Sequence, residues 1–165
     1  MVAPQAAIVL LVLMLSAPAY AAPQVVATRG QWAALNQGRT CEAAARSLRH
    51  AIKDRPQARA SLSFDAGGPR HGQFAAQLSR VPRAGASVML TVGKTPFLLM
   101  SQGAKAWSRG PAQEAAIIAA MRSSGWMQVE ARSPGGGRIR DYYSLDGAPL
   151  AIDAAAACAA RLANR

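Results

Sequence analysis

The residues that first invite a chemical reading run from Ser133 to Gly147, SPGGGRIRDYYSLDG. Three glycines followed by two arginines could form a loop that wraps a phosphate. A phosphate loop of the Walker type, however, needs Lys and then Ser or Thr after its last glycine, with a helix behind. Here Gly137 is followed by Arg138, Ile139 and Arg140, and then by a strand pattern. A dinucleotide loop would also lead into a helix. Gly135–Gly137 are therefore expected to turn the chain between two strands. The other reactive groups are as sparse. His50 and His71 stand at no ligand spacing to one another, whereas a structural zinc site usually needs four ligands. Ser144 lies outside any nucleophile-elbow context. Asp141 and Asp146 read as turn and cap residues rather than as an acid–base pair. Met89, Met100, Met121 and Met127 fall in four separate elements, which suits core filling better than a metal site. No catalytic residue, no cofactor and no metal is expected.

The elements that would position these residues are mostly short strands. Arg59–Asp65 (RASLSFD) alternates, with Ala60, Leu62 and Phe64 on one side. Gln31–Asn36 carries Trp32 and reads as a first strand. Thr40–Leu48 is alanine-rich and fits either a strand or a short helix. Gln73–Val81, Ser87–Val92, Pro96–Met100 and Ala104–Trp107 are further strands divided by Gly and Pro. Gly110-Pro111 opens a helix, since proline is well placed in a first helical turn. Its inward stripe is Ile117, Ala120 and Met121. Trp126–Arg132 alternates and should pair with Arg138–Leu145, placing Arg138 and Arg140 outward. Asp141 falls on the apolar face of that strand and does not fit it. A C-terminal helix should run from Asp146–Pro149 to about Leu162, with Leu150, Ala154, Ala157, Cys158 and Leu162 inward. Many short strands with two helices suggest a β-sandwich with helical additions.

The chain has 165 residues. Ala6–Leu15 is an unbroken apolar run, followed by Ser16, Ala17 and Pro18, and Ala19-Tyr20-Ala21 offers the small residues that a signal peptidase reads. A bilayer span needs about 20 apolar residues, so a cleaved signal peptide over residues 1–21 is expected, with no transmembrane segment. Residues 22–30 read as a flexible mature N-terminus, and residues 31–165 as one domain large enough for its own core. The formal net charge is +11, from 19 Lys and Arg against 8 Asp and Glu. Such a balance favours anionic partners. Export and the scatter of the basic residues argue against nucleic acid, leaving anionic lipid headgroups, cell-wall polymers or host glycans, or a surface that is basic only for solubility. Two cysteines, Cys41 and Cys158, in an exported chain suggest a disulfide across a loop of more than 100 residues. Two buried free thiols are the alternative.

The ordered motifs resemble the invasion-associated locus B family of exported proteobacterial proteins. They are Trp32 followed by Cys41; Phe97-Leu98-Leu99 with Gly103 and Ala106-Trp107; Ala120-Met121-Arg122; Asp141, Tyr143-Ser144-Leu145 and Gly147; and the alanine-rich tail with Cys158. The resemblance covers nearly all of the chain after the leader. It departs at Ala148, where an aromatic is usual, and at Pro134–Gly137, where an arginine-glycine-threonine turn is usual. It implies an immunoglobulin-like β-sandwich with one short internal helix and a C-terminal helix, a Cys41–Cys158 bridge, and a place in the periplasm or at the outer membrane. It carries over no catalytic residue. The function expected is binding, without catalysis, at the periplasm, the outer membrane or a host surface, to an anionic component. A small periplasmic enzyme or enzyme inhibitor, or a purely structural envelope component, are the rival readings.

Overall fold

The computed structural model describes residues 22–50, 53 and 55–165, so the expected leader over residues 1–21 lies outside the described residues. The strands are β1 (Gln24–Arg29), β2 (Trp32–Gln37), β3 (Thr40–Arg46), β4 (Arg59–Asp65), β5 (His71–Gln77), β6 (Val88–Val92), β7 (Thr95–Gln102), β8 (Lys105–Trp107), β9 (Trp126–Arg132) and β10 (Arg138–Ser144). Helix α1 (Pro111–Arg122) lies between β8 and β9, and α2 (Ala148–Ala163) closes the chain. The fold is the expected one: mainly β and sandwich-like, with one internal and one C-terminal helix. All pairings are antiparallel, in the order β1-β2-β3-β4-β5-β8-β7-β6-β9-β10. The two layers share one ladder, because β7 belongs to both. Its residues Thr95–Leu99 pair with β6, and Met100–Gln102 pair with β8.

Local sequence accounts for most of these elements. In β9, Met127, Val129 and Ala131 alternate with polar residues and are buried, and β10 pairs with it as anticipated, Asp141 standing opposite Val129. The glycine run is the turn between them: Ser133 N–H donates to the Gly137 carbonyl at 2.8 Å, and Gly136 N–H to that of Ser133 at 2.9 Å. Helix α1 begins at Pro111 with Glu114 in its first turn, near the positive end of the helix dipole. The ambiguous alanine-rich segment is strand β3, because β2 and β4 flank it and satisfy its backbone on both sides.

Two expectations need correction. The segment 22–30 is not loose: β1 pairs with β2 along its length, with Val25 64 % exposed at the sheet edge. Helix α2 is rotated from the expected stripe. Its buried residues are Ala148, Ala151, Ile152, Ala155, Cys158 and Ala159, while Leu150 is exposed, as is Ala157. In so alanine-rich a helix, the sheet rather than the largest side chain selects the inward face.

That sheet face sets small residues beside Trp32 and Leu62. Ala34, Ala43, Ala45 and Ala60 are buried on the side of β2–β4 that α2 covers. Alanine against alanine lets the helix axis come close to the sheet. Trp32, Leu62, Phe74, Leu90, Ile117 and Met127 complete one continuous core. Cys41 on β3 and Cys158 on α2 are joined, with Cα atoms 6.0 Å apart and a sequence separation of 117. By chain entropy, a loop of this size stabilises the fold by up to about 4–5 kcal/mol. Replacing both cysteines by serine should lower unfolding free energy by about 2–5 kcal/mol, read as a fall in the denaturant midpoint of a urea titration. An unchanged midpoint would show that the bridge contributes nothing.

Candidate functional site

Of the residues singled out in the sequence, Trp32, Ser144, Leu145 and Gly147 meet at one seam between β2, β10 and the start of α2. The Trp32 indole N–H donates to the Ser144 carbonyl at 2.8 Å, and Gln31 N–H donates to the Asp146 carbonyl at 3.3 Å. Ser144 Oγ accepts from Asp146 N–H at 3.1 Å. Leu145 is buried and its N–H reaches the Gly125 carbonyl at 3.0 Å. Gly147 has φ +85°, and a Cβ there would sit 1.8 Å from the Arg29 carbonyl oxygen, so only glycine lets the β1–β2 turn lie against the start of α2. Met121 and Phe97 belong to the core, and Gly103 turns β7 into β8.

Asp141, the misfit on β10, is 1 % exposed and accepts the Ser79 N–H at 3.0 Å. A backbone donor from the segment after β5 thus satisfies it. Two residues further on, Tyr143 is also 1 % exposed, and its hydroxyl has no hydrogen-bond partner among the described residues. Burial, and then the negative charge of Asp141, hold this phenol well above the ordinary tyrosine range.

Asp141 also lies at the floor of a small cleft of about 160 Å³ lined by Arg49, His50, Arg55, Arg80 and Arg140. Most of these guanidinium groups are held in place. Arg80 Nη2 donates to the Arg138 carbonyl at 2.9 Å. Arg140 Nε meets Glu130 at 3.0 Å, and Arg49 lies over the Tyr142 ring, 6.0 Å from its centroid. Arg138 and Arg140 face outward as anticipated, sharing Glu130. One buried carboxylate stands against several guanidinium groups, so the cleft is electropositive. Its cations come from the β3–β4 connection, the segment after β5, and β10, a grouping with no sequence spacing to reveal it. The two histidines are not brought together: His50 lines the cleft, whereas His71 begins β5. Among the described residues no three His, Cys, Asp or Glu side chains gather as metal ligands.

The fold is similar to that in the crystal structure of invasion associated protein B from Bartonella henselae, with a TM-score of 0.59 and 17 % sequence identity, covering 84 % of this chain and 98 % of that one. At such identity the likeness is one of fold. No family model matches the chain, and no curated protein matches it.

The seam residues that carried the sequence resemblance therefore read as a framework. Trp107 differs from the other aromatic residues of the set. Trp32, Phe97 and Tyr143 are buried, whereas Trp107 is half-buried on the outer face of the first layer. The lone Tyr143 hydroxyl yields a direct expectation. A buried polar group without a partner costs about 1–3 kcal/mol, so Tyr143→Phe should stabilise the protein by about 1 kcal/mol. A loss of stability in equilibrium unfolding would mean that the hydroxyl has a partner.

Proposed function

We propose that this chain is an exported protein of a bacterial cell envelope that works by binding an anionic component of the envelope or of a host surface, without catalysis. The observation that carries this reading is the cleft lined by Arg49, Arg55, Arg80 and Arg140, with the buried Asp141 in its wall. Guanidinium groups fixed by Glu130, by a backbone carbonyl and by the Tyr142 ring lose little freedom when a carboxylate, phosphate or sulfate arrives. The formal net charge of +11 adds long-range attraction for such ligands. The apolar run ahead of Ala19-Tyr20-Ala21, the disulfide and the fold likeness to an invasion-associated protein support the envelope setting. The polar groups with most chemical promise support a non-enzymatic role, because structural hydrogen bonds engage them. Asp141 receives the Ser79 amide, and the Ser144 hydroxyl receives the Asp146 amide. Among the described residues no helix is long and apolar enough to cross a membrane.

The test begins with the full-length chain expressed in a Gram-negative host. It should be recovered from the periplasmic fraction beginning at Ala22. This purified form should bind lipopolysaccharide at about 0.05 M salt and release it at about 0.5 M, where screening shortens the reach of the charges. Replacing Arg49 and Arg80 together by glutamate should weaken binding about tenfold or more, which corresponds to about 1.4 kcal/mol. Salt-insensitive binding, or no binding to lipopolysaccharide or any envelope fraction, would contradict the electrostatic reading.

A further inference from the structure

The arginine cleft holds an acid with which none of its cations pairs. Asp141 is buried and forms part of the cleft wall. Its Oδ2 accepts the Ser79 N–H at 3.0 Å, and among the described residues no donor reaches its Oδ1. The arginines around it are turned elsewhere: Arg140 to Glu130, Arg80 to the Arg138 carbonyl, and Arg49 to the Tyr142 ring. Among the described residues the Tyr143 hydroxyl is the one fully enclosed side-chain polar atom without a partner. Asp141 Oδ1 is therefore not sealed in, and it opens on the cleft that its residue lines. A buried carboxylate is stabilised most by a cation in direct contact. The guanidinium groups, for their part, each offer five N–H donors and spend few of them here.

The two signs of charge lie at different depths. Asp141 is buried, whereas Arg49 and Arg80 are exposed. A simple anion would meet the arginines and be repelled by Oδ1. A ligand with a primary ammonium a few bonds from a phosphate satisfies both, the ammonium at the carboxylate and the phosphate at the guanidinium groups. The space, about 160 Å³, suits one such headgroup and not a polymer. A nucleic acid has no ammonium to offer Asp141. The flanks of the cleft point to a lipid. Leu48 and Val81, next in the chain to Arg49 and Arg80, are 53 % and 57 % exposed. Backbone bonds hold both segments against the β9–β10 hairpin. Leu48 N–H donates to the Tyr142 carbonyl at 2.7 Å, and Arg83 N–H to that of Arg132 at 2.8 Å. Exposed aliphatic side chains among basic residues match the boundary between headgroups and acyl chains. The surplus positive charge adds attraction to an anionic leaflet.

We propose that this corner docks on a membrane surface and takes the headgroup of an ethanolamine phospholipid into the cleft. The ammonium meets Asp141, the phosphate meets the arginines, and Leu48 and Val81 enter the interfacial layer. This rests on the reading that the cleft binds an anionic group, and adds the amine and the lipid to it. The test is sedimentation of the oxidised chain from Ala22 with vesicles. Vesicles of phosphatidylcholine and phosphatidylglycerol are compared with vesicles in which phosphatidylethanolamine replaces half of the phosphatidylcholine, so the surface charge is equal. Choline's trimethylated nitrogen has no N–H for Asp141. The ethanolamine vesicles should bind about tenfold more tightly, equivalent to about 1.4 kcal/mol. Asp141→Asn keeps an acceptor for Ser79 and should abolish this preference while retaining binding to phosphatidylglycerol. Leu48→Ser with Val81→Ser should weaken binding to both kinds of vesicle about tenfold. Leu150→Ser, at an exposed position on α2, should change nothing. Thermal melts check that each variant folds. If Asp141→Asn does not, competition on the unaltered chain decides: soluble phosphoethanolamine should release it from ethanolamine vesicles, and phosphocholine should not. Equal affinity for the two kinds of vesicle overturns the proposal and leaves the electrostatic reading standing. So does binding to neither kind while lipopolysaccharide is still bound in a salt-sensitive way. A preference that survives Asp141→Asn, or binding indifferent to Leu48 and Val81, equally overturns it. Loss of salt-sensitive binding to every anionic surface would contradict the electrostatic reading as well.

Discussion

Helix α2 lying on an alanine-lined sheet face, pinned there by Cys41–Cys158, is the contact on which the rest of the molecule depends. Both surfaces are rich in alanine, with Trp32 and Leu62 on the sheet and Ile152 on the helix as the large side chains, so close approach of the small residues must make up much of the contact. The bridge favours that approach by removing freedom from the unfolded chain rather than by adding contacts. Close seating then imposes conditions elsewhere. The turn at Gly30 must meet the start of α2, where a Cβ on either Gly30 or Gly147 would collide with backbone. Trp32 must reach Ser144, which ties the end of β10 to β2. Arg122 on α1 pairs with Asp153 on α2, linking the two helices on the surface.

The same arrangement divides the labour between the two faces of the first layer. The inner face is committed to the helix, the core and the bridge. The outer face is backed by this packing and carries small residues down its middle with cations along one side. Small side chains on both faces of β3 and β4 thus have different consequences: inside they admit a helix, and outside Ala44 and Ser61 let the Arg59–Glu42 ion pair lie across them. The arginine cleft arises separately, where the β3–β4 connection and the segment after β5 fold against β10 around Asp141.

How much of this was legible in sequence follows from where the information lies. The β9–β10 hairpin was readable because one strand alternates cleanly and a glycine run separates it from the next. The start of α1 was readable from Pro111. Strand β1 was missed because an exposed edge strand shows no apolar alternation, and its partner is known only once β2 is placed. The face of α2 was misjudged because alanines give little contrast around a helix, so Leu150 drew the stripe toward solvent. Asp141 was visible as an anomaly, but its partner at Ser79 lies 62 residues away in sequence. The cleft was invisible for the same reason. It is a juxtaposition of residues from the β3–β4 connection, the segment after β5, and β10.

Native-state hydrogen exchange tests the dependence on α2 most directly. In the oxidised protein, amides of Ala151–Ala159 should exchange as slowly as those of β3 and β4. In the Cys158→Ser variant the α2 amides should exchange about a hundredfold faster, the factor equivalent to about 3 kcal/mol of lost protection. Amides of β9 and β10 should change less. Fast exchange in α2 while the bridge is intact, or slow exchange after its removal, would contradict the claim that this helix and its disulfide hold the fold together.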